Sequence, residues 1–206
     1  MLLRIHPDNP QEKLIKQVVE CLVDGGIIIY PTDTVYGIGC DIFKHKAVEK
    51  IARLRDVNIK KHNFSFICSD LSHLSDFAKP MDRSTYRLMK KALPGPFTFI
   101  LEANNTIPKL FKNNKKTVGI RVPEHHIPRG IVHALGNPIL TTSIHDDDSL
   151  VEYSADPELI YEKYQNQVDI VIDGGYGKLV PSTIVDCSHG GPEIIRQGLG
   201  DLSGLI

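Results

Sequence analysis

The 206-residue chain has no tryptophan and only four cysteines, and no stretch approaches the ~20 apolar residues that span a bilayer. Its first ten residues, MLLRIHPDNP, lack the apolar core and small-residue cleavage site of a secretory signal. Cys21, Cys40, Cys68 and Cys187 are widely separated and none forms a CxxC pair. That spacing excludes a disulfide framework or zinc ribbon and predicts buried free thiols in a reducing compartment, so a cytoplasmic protein is expected. An excess of either charge is also missing. Lys and Arg total 24 against 25 Asp and Glu, a net charge of −1, which excludes wholesale attraction to nucleic acid or an anionic membrane. There is no GxxxxGK[ST] loop, no GxGxxG after a strand, no GxSxG elbow and no HExxH spacing. No metal site is expected, and the adjacent His125 and His126 read as a surface pair.

What is present is an ordinary globular composition, 41% hydrophobic and 24% charged. A chain this long buries roughly 70% of its unfolded surface, enough for a core without staples. The stretch GGIIIYPTDTVYGIGC at 25–40 organises the rest. Ile27 to Tyr30 is a continuous β-branched run, as in a strand covered on both faces. Pro31 stops it, and Thr32, Asp33, Thr34 and Tyr36 then crowd polar groups into a loop closed by Gly37 and Gly39. Polar groups just beyond a buried strand are where α/β sheets commonly bind ligands.

Around this stretch the pattern predicts a strand at Leu2–Ile5 and a helix capped by Asn9, with Pro10 first and Glu12 completing a capping box. Gly25 and Gly26 end that helix. Ala47, Val48, Ile51 and Ala52 form the stripe of a second helix, which places Arg55 inward and Arg53 outward. Strands are predicted at Phe64–Cys68, Phe97–Leu101, Thr117–Val122, Pro138–Ser143, Val168–Ile172, Ser182–Asp186 and Ile194–Arg196. Helices are predicted at Leu71–Ala78, Asp82–Leu93, Ile127–Leu135 and Pro157–Tyr164, the last capped by Asp156, with a polar, mobile stretch at 144–154. No repeat or linker interrupts the chain, so the expected architecture is α/β: a single domain over residues 1–206, with a twisted mixed parallel and antiparallel sheet and flanking helices.

Several strand ends carry hydroxyls or guanidiniums: Thr32 and Thr34, Thr117 and Arg121, Thr141 to Ser143, Ser182 with Thr183, and Arg196. If these ends meet, they suit a carboxylate plus a polyphosphate, because Arg pairs bidentately with both. Phosphoryl chemistry asks mainly for alignment and charge neutralisation, with magnesium carried on the nucleotide. Thr and Ser are also good strand formers, and arginines form structural ion pairs, so this pattern alone leaves both roles open.

The motifs YPTDTVYGIGCD (30–41), LPGPFTFIL (93–101), TVGIRVP (117–123), TTS (141–143), PSTIVD (181–186) and IIRQG (194–198) resemble, in order and spacing, those of the YrdC/YciO family. IHPDNP at 5–10 and HNFSFICSDLSHLS at 62–75 are most similar to its YciO branch. The resemblance implies a YrdC-like fold with a large concave pocket. It also implies L-threonylcarbamoyladenylate synthase chemistry, in which threonine, bicarbonate and ATP give threonylcarbamoyl-AMP and pyrophosphate for t6A37 modification of tRNA. Thr34, Arg121, Thr141 and Ser182 would hold threonine, with Arg121 on its carboxylate. Arg55, Lys61, Thr117, Ser143 and Arg196 would lie along the nucleotide, Arg55 and Ser143 acting in catalysis, with Mg2+ arriving on ATP. Where the family has lysine-x-arginine this chain has Arg55 and Val57, and its serine-x-asparagine becomes Ser143-Ile144-His145, which implies weakened or altered synthase activity. Two alternatives follow from the same resemblance. One is double-stranded RNA or tRNA binding through Arg55, Lys60, Lys61, Lys115 and Lys116; the other is an enzyme for a related carbamoylated substrate.

Overall fold

The helix stripes behave as their periodicity dictates. In α2 (His45–Leu54), the buried residues are Ala47, Val48, Ile51 and Ala52; Arg53 is exposed and Arg55, the C-cap residue, is half-buried. These facts come from a computed structural model that describes residues 1–59, 64–111, 116–144 and 155–205. Lys60, Lys61, Lys115, His145 and most of the polar 144–154 stretch lie outside the described residues.

The strands are β1 (Leu2–Arg4), β2 (Ile28–Tyr30), β3 (Gly37–Asp41), β4 (Ser65–Ile67), β5 (Phe97–Glu102), β6 (Thr117–Arg121), β7 (Ile139–Ser143), β8 (Ile170–Asp173), β9 (Thr183–Asp186) and β10 (Glu193–Arg196). They form one sheet in the order β1-β8-β2-β3-β7-β4-β6-β5-β9-β10. The pairs β1–β8, β2–β8, β4–β6 and β5–β9 are parallel; the others are antiparallel. The remaining helices are α1 (Glu12–Val23), α3 (Leu71–Ser75), α4 (Arg83–Ala92), α5 (His126–Leu135) and α6 (Pro157–Tyr164). The mixed sheet with flanking helices matches the expected fold class.

Register decides what each face carries. The pairs Gly39↔Thr141, Ser65↔Thr141, Ser65↔Gly119 and Ile100↔Gly119 fix the side-chain parity across five strands. One face presents Ile38, Cys40, Leu140, Phe66, Ile120, Phe99 and Val185, all in the main core together with the stripes of α2 and α4. The other face is divided. Over β8 and β2, Ile28, Ile170 and Ile172 pack with Ile15, Val18 and Leu22 of α1 and with Ile127, Ile131 and Val132 of α5. Beyond that cover, the same face carries Gly37, Gly39, Thr141, Ser143, Ser65, Thr117, Gly119, Arg121 and Thr98.

Four local expectations need correction. The capping box at Asn9 does not form: the His6 ring accepts the backbone N–H groups of Asp8 and Asn9 at 3.3 and 3.2 Å. With those amides tied to His6, α1 begins at Glu12 behind Gln11, without a side-chain cap. Gly37 and Gly39 do not close a loop; they lie in β3, where β2 and β7 crowd them on either side. Of the four unpaired thiols, Cys40 and Cys68 are buried while Cys21 and Cys187 are only partly so; burial still pushes those two to about 11. His125 is half-buried while His126 is exposed, so the two do not form a surface pair.

The α6 cap follows the sequence: Asp156 Oδ1 accepts the Glu158 N–H at 2.9 Å. Asp156→Ala is expected to cost about 1 kcal/mol of stability, read as a shifted urea midpoint with unchanged slope.

Candidate active site

The loop after β2 folds back over the uncovered part of the sheet. Asp33 and Thr34 reach Arg121 at the end of β6, although β7 and β4 stand between β3 and β6. Arg121 Nη2 donates to Asp33 Oδ1 at 2.8 Å and to Thr34 Oγ1 at 3.0 Å. The loop is held rigid from within and from outside. Thr32 Oγ1 donates to the Val35 carbonyl at 2.7 Å and accepts the Thr34 N–H at 3.0 Å. Tyr36 Oη donates to the Gly175 carbonyl at 2.7 Å, and Lys178 N donates to the Thr34 carbonyl at 3.0 Å. Gly175 makes that strap possible with φ at 94°, a left-handed conformation that suits glycine.

On the far side of Arg121, Thr98 and Ser182 share a hydroxyl hydrogen bond of 2.8 Å. Arg196 Nη2 donates to the Ser182 carbonyl at 2.8 Å. Burial first, and the nearby Arg121 cation second, lower the Arg196 pKa from its ordinary value. Two guanidiniums that sense each other beside a bare glycine floor attract anions. The floor is tight: a Cβ on Gly37 would sit 3.0 Å from Thr141 Oγ1 and 3.3 Å from Tyr30 Oη. A cavity of about 140 Å³ opens beside it, lined by Ser65, Thr98, Thr117, Gly119, Ile184 and Ile195, among others. A larger groove of about 1170 Å³ lies along α1 and α5, but its polar residues alternate in sign, from Glu12, Lys16 and Glu20 to Arg129 and His133, without a buried pair. The smaller hollow is lined by hydroxyls of the uncovered face, with Asp186, and the buried Asp33–Arg121 pair lies outside its lining.

Asp33 and Arg121 have side chains only 8% exposed. Their ion pair uses one oxygen and one nitrogen, and both Asp33 Oδ2 and Arg121 Nε are buried without a hydrogen-bond partner among the described residues. Each such atom costs roughly 1–3 kcal/mol unless something supplies its partner. Sequence reading placed Asp33 in the loop but gave it no role. It also passed over Ser65, Thr98 and Gly119, whose signal is a single small or polar residue inside an apolar strand.

The positions expected from sequence fall into three groups. Thr34, Arg121, Thr141, Ser143, Thr117, Ser182 and Arg196 come together on or around the uncovered face. Arg55 sits apart at the end of α2, whose stripe packs against the opposite face. Lys61 lies outside the described residues. Among the described residues no cluster of three or more His, Cys, Asp and Glu side chains could hold a metal, and no helix is long and apolar enough to cross a membrane.

His125 caps α5, its Nδ1 accepting the Ile127 N–H at 3.3 Å. Burial lowers its pKa from 6.5, against an opposing pull from Asp33. His73 is lowered from 6.5 in the same way, chiefly by burial, and its Nδ1 lies 3.3 Å from the Ser69 backbone nitrogen. Below about pH 6.5 the unfolded chain takes up protons that these folded rings resist, so their stability contribution is complete above that pH and is lost as pH falls through the folded values. Tm should therefore fall between about pH 7 and about pH 5. His125→Asn, which keeps a capping acceptor, should flatten part of the slope; an unchanged slope would remove His125 from the account.

Comparison with known proteins follows the same lines. The family model for Sua5, YciO and YrdC, described as telomere recombination, matches residues 20–198. YciO of Escherichia coli (strain K12) is 43% identical over 203 residues, 98% of this chain and 97% of that protein. The crystal structure of E. coli YciO superposes with a TM-score of 0.92 at 40% identity, covering 100% of this chain and 99% of that one. Threonylcarbamoyl-AMP synthase of Coxiella burnetii (strain RSA 493 / Nine Mile phase I) is 30% identical over 183 residues, 88% of this chain and 96% of the synthase. Sua5 of P. abyssi, crystallised with L-threonine, shares the fold at a TM-score of 0.85 and 23% identity, over 96% of this chain and 57% of its own. With the sheet, the motif positions and these matches in agreement, the chain belongs to the Sua5/YciO/YrdC family, with higher identity to E. coli YciO than to the C. burnetii synthase.

Proposed function

We propose that residues 1–206 act as one unit whose uncovered sheet face binds L-threonine and ATP and joins them, with bicarbonate, into threonylcarbamoyl-AMP and pyrophosphate. One observation carries this reading: the register places hydroxyls of β7, β4, β6 and β5 on one side of the sheet, against the buried Arg121. The Coxiella relative named for the same synthase reaction supports it. Arg121, Thr34, Thr141 and Ser182 would hold the amino acid. Thr117, Ser143 and Arg196 would lie along the nucleotide. Magnesium would arrive chelated by the phosphates, adding charge neutralisation at the transferred group. The product would serve threonylcarbamoylation of tRNA.

Arg55 and Val57 stand where synthases carry lysine and arginine, so one cation beside the phosphates is missing. Loss of one such stabilising group slows phosphoryl chemistry by orders of magnitude, so turnover should be slow. The test is incubation with L-threonine, bicarbonate and Mg-ATP, following pyrophosphate and threonylcarbamoyl-AMP together. Product above that of Arg121→Ala supports the reading, and product equal to that variant refutes it.

A further inference from the structure

We propose that the hollow beside the first turns of α4 docks an acidic peptide segment of a partner protein, seating one apolar side chain next to two unpaired arginines. This surface is separate from the uncovered sheet face: α4 buries Leu88, Met89 and Ala92 in the main core, on the other side of the sheet.

Arg83 and Arg87 break two local rules of helix construction. They are like charges one turn apart on the exposed side of α4, and Arg83 stands in the first turn, where the helix dipole disfavours a cation. Neither has a carboxylate partner among the described residues. The nearest carboxylate in sequence, Asp82, is committed to the helix cap. Its Oδ1 accepts the Ser84 and Thr85 N–H groups at 2.8 and 3.0 Å, and its Oδ2 accepts the Thr85 hydroxyl at 2.7 Å. Two surface costs left standing side by side, with no internal compensation, mark a position kept for something outside the fold.

The same two arginines line a cavity of about 420 Å³ together with Lys79 and Ser75. The rest of the lining is apolar: Ala78 is buried, Met81 is half-buried against the core, and Pro80 and the Tyr86 ring are exposed. Lys79 is already paired with Glu102 at 2.7 Å, so the unmet charge is that of the guanidiniums. They call for carboxylates, which guanidinium holds at two points, and the apolar lining calls for an aliphatic or aromatic anchor. A nucleic acid fits less well, because its affinity comes from many phosphates neutralised together. Along α4 the stripe is extended by Lys90, whereas Lys91 donates to the Leu205 carbonyl at 3.2 Å, and the carboxylates of Asp82 and Glu102 are exposed beside the cations. The charge is compact, as a short acidic segment requires.

The experiment is a fluorescence-anisotropy titration of the full chain into a labelled peptide in which six acidic residues flank a central Leu-Phe pair, at several salt concentrations. The wild-type protein should bind it saturably, and replacing the central pair by Gly-Gly should weaken binding by roughly 10-fold, as expected for one buried apolar side chain. Arg83→Glu/Arg87→Glu should weaken binding by about 10-fold or more and remove most of its salt dependence. Arg83→Gln/Arg87→Gln relieves the like-charge pair, so it should melt at or above the wild-type temperature and still lose affinity, which separates lost binding from lost folding. A wild-type Kd above about 100 µM, equal affinity for the two peptides, or unchanged affinity in the Gln double variant overturns the proposal. Displacement by tRNA more strongly than by unlabelled peptide at equal charge also overturns it, and assigns the hollow to nucleic acid.

Discussion

Replacing Arg121 by alanine is expected to abolish detectable threonine binding and to cost the fold about 3 kcal/mol or more. The two losses have different origins. Binding fails because the cation best placed for a carboxylate is gone. Stability falls because Asp33, only 8% exposed, keeps its charge and loses its ion-pair partner. A buried carboxylate without a cation is worse than no carboxylate. The double variant Arg121→Ala/Asp33→Ala should therefore regain much of the stability, to within about 1–2 kcal/mol of wild type, while binding stays lost. Urea unfolding of the wild type, both single variants and the double variant supplies the cycle, and threonine titration supplies the second readout. An Arg121→Ala variant as stable as wild type would mean that the ion pair is not the buried unit described above.

The second large effect separates two glycines on one face of the sheet. A Cβ on Gly39 would overlap the backbone carbonyl of Leu140 and lie 3.1 Å from Tyr30 Cε1. That carbonyl belongs to β7, the strand paired with β3, so it cannot withdraw without opening the ladder. Gly39→Ala is expected to cost about 3 kcal/mol, the upper end for overpacking, and to lower Tm accordingly. Gly119 looks similar in sequence but differs in what a Cβ would meet: Ser65 Oγ at 2.6 Å, the tip of a side chain that can rotate away. Gly119→Ala should leave the melt close to wild type and weaken ligand binding by roughly 10- to 100-fold by raising the floor of the hollow. Equal melts for the two variants would show that β3 has more freedom than its burial implies.

These outcomes bear on how far the chain could be read before folding. The α2 stripe, the Asp156 cap and the end of α5 at Gly136, with φ at 81°, all came from residues within a turn or two of one another. The failures have two different causes, one local and one distant. The Asn9 capping box was a sound pattern that lost to the His6 ring, a competitor which periodicity does not reveal. Gly37 and Gly39 read as loop closers because glycine is commoner in turns than in strands. Their true reason, a neighbouring strand too close for a side chain, exists only once β7 has arrived from a hundred residues further on.

The site divides in the same way. The hydroxyl and arginine positions were visible as polar residues at strand ends, and the motif order tied them to one family. Asp33 was visible too, but as a turn residue. By itself the sequence determined most of the elements, β3 excepted, together with the family and the residue types available for chemistry, because these depend on short-range preferences and on order along the chain. Tertiary structure alone decided that β8 lies between β1 and β2, that only part of one sheet face is covered, and that Asp33 meets Arg121 across 88 positions. Those outcomes depend on burying apolar faces from distant segments together, a sum over the whole chain that no local window contains.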